Sequence, residues 1–215
     1  QANLVVLHDS LLPKYRGFNP LVSQLINGEK RIGATAIYAS EKYDEGDIIC
    51  QHAIDIQYPI KIKTAIEKVS KCYAECVKKI LSVDDPLAIK GTPQNHAIAT
   101  YSIWRDSQDY LIDWNQSSHF IERFINAVGW PYQGAQTYMN GTRIVIDAAE
   151  ATNYDLFIHN RQPGKVIDII DSLPIIICGE GLLKIKSANH VYEKKSAIPF
   201  TKFRTRLTSA ALSNS

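Results

Sequence analysis

At 215 residues, 45% hydrophobic and 21% charged, the chain has a globular composition with room for a core in one or two domains. A net charge of +2 gives no field strong enough to argue for nucleic acid or a membrane surface as partner. No apolar run approaches a membrane span, and Gln1-Ala2-Asn3 lacks the basic start and long apolar core of a signal peptide.

Leu4 to Leu7 reads as a short buried strand that delivers His8 into a polar loop punctuated by Pro13. Pro20 to Ile26 has helical spacing, with Asn27-Gly28 as its stop and Gly28 as the C-cap. Gly33 to Ala39 is a second strand. Ile48 to Ile56 alternates Ile48, Cys50, His52, Ile54 and Ile56 against polar or small neighbours, a strand with one wetter face. From Ile62 to Ile80 the apolar positions keep three-and-four spacing, and lysines and glutamates fill the other side, as in a helix that covers a sheet. Cys72 and Cys76 share a face of that helix. With no further His or Cys at ligand spacing they read as small core residues rather than a metal pair. The four cysteines suit a reducing, cytoplasmic compartment.

Ser82 to Thr100 changes character: Asp84-Asp85-Pro86 and Gly91-Thr92-Pro93 carry turn chemistry and little apolar pattern. After it, Phe120, Ile121, Phe124, Ile125 and Val128 make one helical stripe behind an N-cap at Ser117 or Ser118. From there the pattern is β. Ala135 to Met139 and Thr142 to Ala148 flank the hairpin signal Asn140-Gly141. Gly164 to Ile170, Ile175 to Cys178 and Gly181 to Ser187 are further short strands. The expected organisation is an α/β domain over 1–85, a linker over 86–109, and a small OB-like β-barrel domain over 110–215.

His8 and, thirty-six positions later, Asp44 in the turn Asp44-Glu45-Gly46-Asp47 each stand at a strand end. One imidazole and one carboxylate so placed are the components of an acid–base site. Taken alone, His8 would more often be a satisfied structural histidine and Asp44 a turn residue.

The ordered set His8-x-Ser10-Leu11-Leu12-Pro13-x-Tyr15-Arg16-Gly17, then Asn27-Gly28, Gly33-x-Thr35 and Asp44-x-Gly46-Asp47-Ile48 resembles the folate-dependent formyltransferases. That family includes methionyl-tRNA formyltransferase, glycinamide ribonucleotide transformylase and the sugar N-formyltransferases. The second half is similar to the C-terminal barrel of the tRNA and sugar branches, through Ile112-Asp113-Trp114, Trp130-Pro131, Pro163-Gly164-Lys165-Val166 and Cys178-Gly179-Glu180-Gly181. The resemblance implies the C-terminal half of a Rossmann-like catalytic domain, followed by the barrel. It also implies that a first half of that domain precedes His8. Gln1 is not an initiator methionine, which agrees.

The resemblance implies formyl transfer from 10-formyltetrahydrofolate to an amine, without a metal. An amine attacking the formyl carbon gives an oxyanion that needs a donor, and a proton that needs a base. His8 is implied to polarise the formyl oxygen or relay the proton. Asp44 is implied to orient the imidazole and, through water, take the proton. The backbone of Ser40, Lys42 and Tyr43 is implied to run along the pterin. Ser10 serves the loop or the substrate; Arg16 braces the loop or anchors a phosphate or carboxylate. The family places an asparagine two residues before the histidine, where this chain has Val6. Losing one such donor costs on the order of a hundred- to a thousandfold in rate.

For the acceptor, residues 100–215 hold twelve Lys and Arg against eleven Asp and Glu. A tRNA-binding module should be clearly basic, so the balance favours a nucleotide-linked amino sugar over tRNA. A third reading is an inactive folate- or nucleotide-binding relative. Trp104, Tyr110, Trp114, Trp130 and Tyr132 stack on a base or pack a domain junction. Trp104, with Arg105 beside it, is the first choice for a base with its diphosphate. Exposed barrel strands leave room for a homodimer.

Overall fold

The computed structural model describes residues 4–193, 195–200 and 203–210. They divide into two compact units, Gln1–Arg105 and Asp106–Ser215.

In the first unit, β1 (Val5–His8) is followed by the two-residue strand β2 (Arg16–Gly17), α1 (Pro20–Asn27), β3 (Arg31–Tyr38), β4 (Ile48–Asp55) and α2 (Ile62–Leu81). Near its end lies a second short strand, β5 (Tyr101–Ser102). The sheet runs β1-β3-β4 and is antiparallel throughout. α1 starts with Pro20, whose fixed φ suits the first turn. It ends at Gly28, whose φ of 78° lets its N–H reach back to the carbonyls of Gln24 and Leu25. α2 buries Ile62, Ala65, Val69, Cys72 and Cys76. Cys72 and Cys76 meet Ala34, Ala36 and Cys50 of the sheet, with Ile49, Ile54 and Ile80 around them. Each fully buried aliphatic side chain in such a stripe contributes about 1.5–3 kcal/mol. The lysines of its other face stay in water, and Lys78 and Lys79 lie in the last turn, where the helix dipole favours cations. The three cysteines are thus core. Among the described residues no group of three His, Cys, Asp or Glu is placed to hold a metal.

β1 differs from its reading as a buried strand. The strand is present, but Val5, Val6 and Leu7 are each 36% exposed. β1 is an edge, hydrogen-bonded to β3 on one side only, and an edge strand escapes full burial unless both faces are covered.

The stretch read as the start of a linker is laid onto the first unit. Ile48 and Thr92 exchange N–H···O bonds of 2.8 Å, and the Tyr38 hydroxyl donates to the Ile89 carbonyl. β5 pairs in parallel with β2.

The second unit opens on a loop and α3 (Ser118–Ala127). It continues with β6 (Ala135–Met139), β7 (Thr142–Ala151), β8 (Val166–Ile170), β9 (Leu173–Ile177), β10 (Leu182–His190) and β11 (Leu207–Thr208). Ser117 caps α3, its hydroxyl accepting from the Phe120 N–H. Asn140 and Gly141 both take positive φ, as a two-residue hairpin between β6 and β7 requires. The antiparallel sheet runs β11-β6-β7-β10-β9-β8. It curls until its two edges touch: Lys165 bridges Arg206, and Leu207 N–H donates to the Gly164 carbonyl at 2.8 Å. Ile144, Ile146, Ile175, Ile176, Leu182 and Ile185 are buried on the two faces of this sheet. Trp114 is buried too, its indole N–H donating to Thr137 Oγ1 at 3.0 Å, and Tyr110 is likewise buried.

No helix among the described residues is long and apolar enough to cross a membrane.

Candidate active site

The site begins where β1 ends. His8 pairs across the sheet with Thr35 of β3, and the chain then turns away through Asp9 to Tyr15. Side chains hold this loop in place of secondary structure. Thr35 Oγ1 donates to the Ser10 carbonyl at 2.6 Å and accepts from the Leu12 N–H at 3.1 Å. Gln51 of β4 donates to the Leu12 carbonyl, and Gln24 of α1 to the Asp9 carbonyl, both at 2.8 Å. Burying backbone polar groups is tolerated only with such partners. The sequence supplies them from three separate elements.

Asp44 arrives on the turn between β3 and β4. Its φ of 57° is left-handed, a conformation that aspartate tolerates better than most residues. Gly46 lets the turn fold back, because a Cβ there would run into the Tyr38 carbonyl. The Asp44 carboxylate accepts from the Gly17 N–H at 2.7 Å and lies 3.6 Å from His8 Nδ1. That second distance is ion-pair range and too long for a direct hydrogen bond. His8 Nε2 faces the Tyr15 carbonyl at 2.9 Å.

Beneath the turn sits a residue whose importance the sequence does not reveal. Gln94 donates to the carbonyls of Asp44 (2.7 Å) and Gly46 (2.8 Å), while its own carbonyl accepts from Arg16 Nη2 (2.7 Å) and Nε (3.2 Å). Arg16 also donates to His96 Nδ1 at 3.2 Å and lies 3.4 Å from the Glu45 carboxylate. Arg16 is only 1% exposed. Its charge is held by Glu45 and its donors by Gln94 and His96, which is what a buried guanidinium needs. Gln94 is 78 positions from Arg16 and 50 from Asp44, so no local pattern points to it.

Two phenols near the loop are shifted. Burial pushes Tyr15 above its ordinary value; the Asn27 donor opposes this and the Glu29 carboxylate adds to it. Tyr73 of α2 is raised more strongly, first by burial and then by the Asp9 carboxylate that it faces.

Comparison with known proteins bears on what this arrangement is. The family described as formyl transferase matches residues 1–81, and that described as formyl transferase, C-terminal domain, matches residues 105–204. The chain belongs to the formyltransferase family. It is 35% identical over 189 residues to the bifunctional polymyxin resistance protein ArnA of Wigglesworthia glossinidia brevipalpis, covering 86% of this chain and 27% of that protein. It is 28% identical over 193 residues to the methionyl-tRNA formyltransferase of Alkaliphilus oremlandii, covering 89% of this chain and 61% of that one. The chain therefore spans less than two thirds of either relative. Its fold is similar to that of WlaRD, a sugar 3N-formyl transferase crystallised in the presence of dTDP and 5-N-formyl-THF. That match has a TM-score of 0.66 at 22% identity and covers 85% of this chain and 64% of that one.

Within this chain, the two residues expected to be catalytic, His8 and Asp44, are brought together. Ser10 and Arg16, each expected to serve either the loop or a substrate, both make loop contacts. Ser10 is fully buried, and its hydroxyl donates to the Lys14 carbonyl at 2.6 Å. Arg16 is enclosed as described. Both brace the loop rather than face a ligand, because every polar group the loop buries has to be matched inside it. Trp104 is 63% exposed near the end of the first unit. Ser40, Lys42 and Tyr43 form an exposed turn leading into Asp44; Ser40 Oγ donates to the Lys42 carbonyl at 2.7 Å. Tyr43 is 82% exposed, its ring tilted toward Phe18 with centroids 6.2 Å apart.

Proposed function

We propose that this chain carries the acid–base site of a 10-formyltetrahydrofolate-dependent formyltransferase whose acceptor is the amino group of a nucleotide-linked amino sugar. The observation that carries the reading is the convergence of His8 and Asp44, each on a separately braced loop, inside a chain of this family. Bound 10-formyltetrahydrofolate would supply an electrophilic formyl carbon. Ser40, Lys42, Tyr43 and Phe18 would hold it, mainly through main chain and ring faces. His8 receives or relays the proton of the attacking amine, and Asp44 stabilises the imidazolium that results. Val6 lies on the same face of β1 as His8, since alternate residues of a strand share a face. Its isopropyl group donates nothing to an oxyanion there.

The sugar is favoured by the near balance of charge in residues 100–215 and by the likeness to WlaRD, a sugar 3N-formyl transferase. Methionyl-tRNA is the second reading, favoured by the match to the Alkaliphilus enzyme over most of this chain.

The test is turnover by the full-length protein. It is incubated with 10-formyltetrahydrofolate and either a panel of nucleotide-linked amino sugars or methionyl-tRNA, and tetrahydrofolate release is followed. Turnover on one sugar that His8→Ala abolishes supports the reading. Turnover on the tRNA alone replaces the sugar with the second reading. Silence on every acceptor, with folate bound, refutes catalysis.

A further inference from the structure

Tyr15 is in the left-handed region, with a φ of 59°, where a bulky residue rarely sits. Three contacts hold it there. Its hydroxyl donates to Glu29 at 2.8 Å and accepts from Asn27 Nδ2 at 3.1 Å. Its N–H donates to Thr100 Oγ1 at 2.9 Å. The result is a carbonyl aimed at His8 Nε2, 2.9 Å away. A carbonyl only accepts, so Nε2 must carry the proton. A neutral His8 then has its lone pair on Nδ1, the nitrogen that faces Asp44 at 3.6 Å. The Asp44 oxygen on that side already accepts from Gly17.

We infer that Tyr15 is a positioning residue that fixes His8 in the Nε2–H tautomer and makes Nδ1 the nitrogen that takes the reaction's proton. A lone pair and a carboxylate face each other in the resting site. A proton placed on Nδ1 turns that contact into an imidazolium–carboxylate pair. The amine's lone pair forms the new C–N bond, the proton leaves that nitrogen for Nδ1 while the N–H electron pair stays behind as its lone pair, and the proton passes on to the folate nitrogen as its bond to the formyl carbon breaks. The assignment deepens the proposed formyl transfer and rests on it for its chemical use. The tautomer itself stands independently and is measured without substrate.

The experiment uses full-length protein labelled with ¹⁵N-histidine. The chain's six histidines are resolved by their ring nitrogen shifts, and His8 is assigned by its absence in His8→Gln. In the unaltered protein, neutral His8 should favour Nε2–H by about tenfold, the factor one ordinary hydrogen bond carries. Tyr15→Phe removes the anchoring hydroxyl and should lower the ratio toward that of free histidine, with kcat falling and the folate KM held. Glu29→Ala removes the anchor's acceptor without touching Tyr15 and should do the same if Tyr15→Phe does not fold. Glu29→Gln keeps an acceptor and should restore the ratio. An Nδ1–H majority in the unaltered protein overturns the assignment. So does a ratio that neither anchor variant moves. Absence of turnover in the unaltered protein, with the tautomer ratio and its shift as expected, would instead count against formyl transfer alone.

Discussion

Two segments flank Asp44 and are built on opposite terms. The loop from His8 to Gly17 is enclosed, and its main chain is pinned by Thr35, Gln24, Gln51 and Thr100. The turn from Ser40 to Tyr43 lies open to solvent. The first must hold two ring nitrogens and a carboxylate to within fractions of an ångström, which calls for more constraints than the loop has freedoms. The second has only to offer main chain and a ring face, which freedom does not spoil. Precision here is local to the His8–Asp44 pair.

Changes in the enclosed loop should be large, and the largest are expected at the reacting pair. His8→Ala should lower formyl transfer by about 10²–10⁴-fold, the worth of a positioned acid–base group. Asp44→Asn should fall within the same range, with the fold intact because asparagine also accepts the left-handed conformation. Both are read as tetrahydrofolate release, and near-normal rates in either would break the comparison at its centre. Val6→Asn runs the other way. If no other donor serves the oxyanion, it should raise kcat by about tenfold or more; an unchanged kcat would mean that one does.

Next comes the brace. Gln94→Ala strips Arg16 of its shortest acceptor and frees the Asp44 turn. It should cost about 2–3 kcal/mol, since hydrogen bonds to a buried charge are among the stronger ones. A shift in the urea midpoint measures it. A smaller effect is expected from Tyr15 at high pH. Its folded value is raised above the unfolded one, so its contribution to stability is complete below about pH 10. It is lost as pH rises through the higher folded value. Tyr15→Phe should flatten that alkaline decline in unfolding free energy. Smallest of all, Tyr43→Ala and Lys42→Ala should change stability by less than about 0.5 kcal/mol, as exposed positions do. A large loss at either would show the open turn to be structural after all.

The sequence makes the elements legible where the signal is local. The apolar stripe of α2, the Gly28 stop of α1, the Ser117 cap of α3 and the Asn140-Gly141 hairpin each state their structure within a few residues. His8 and Asp44 are legible because an ordered motif surrounds both. Three things are not. β1 has the apolar run of a buried strand, yet burial depends on what covers it, which no run of residues encodes. Ser10 and Arg16 have ligand-binding chemistry, but loop closure uses it up. Gln94 stands in a stretch of turn residues and acquires its role only when the fold carries it back to Arg16 and Asp44.

That last placement redraws where the first unit ends. A module cut after residue 85, where the apolar pattern stops, would leave behind the glutamine that spans Arg16 and the Asp44 turn, and the strand that runs beside β2. It would keep His8 and Asp44 and lose the clamp that orients one of them. Recombination or truncation that preserves this arrangement must therefore carry the chain through β5, so the site draws on more of the chain than its motifs span.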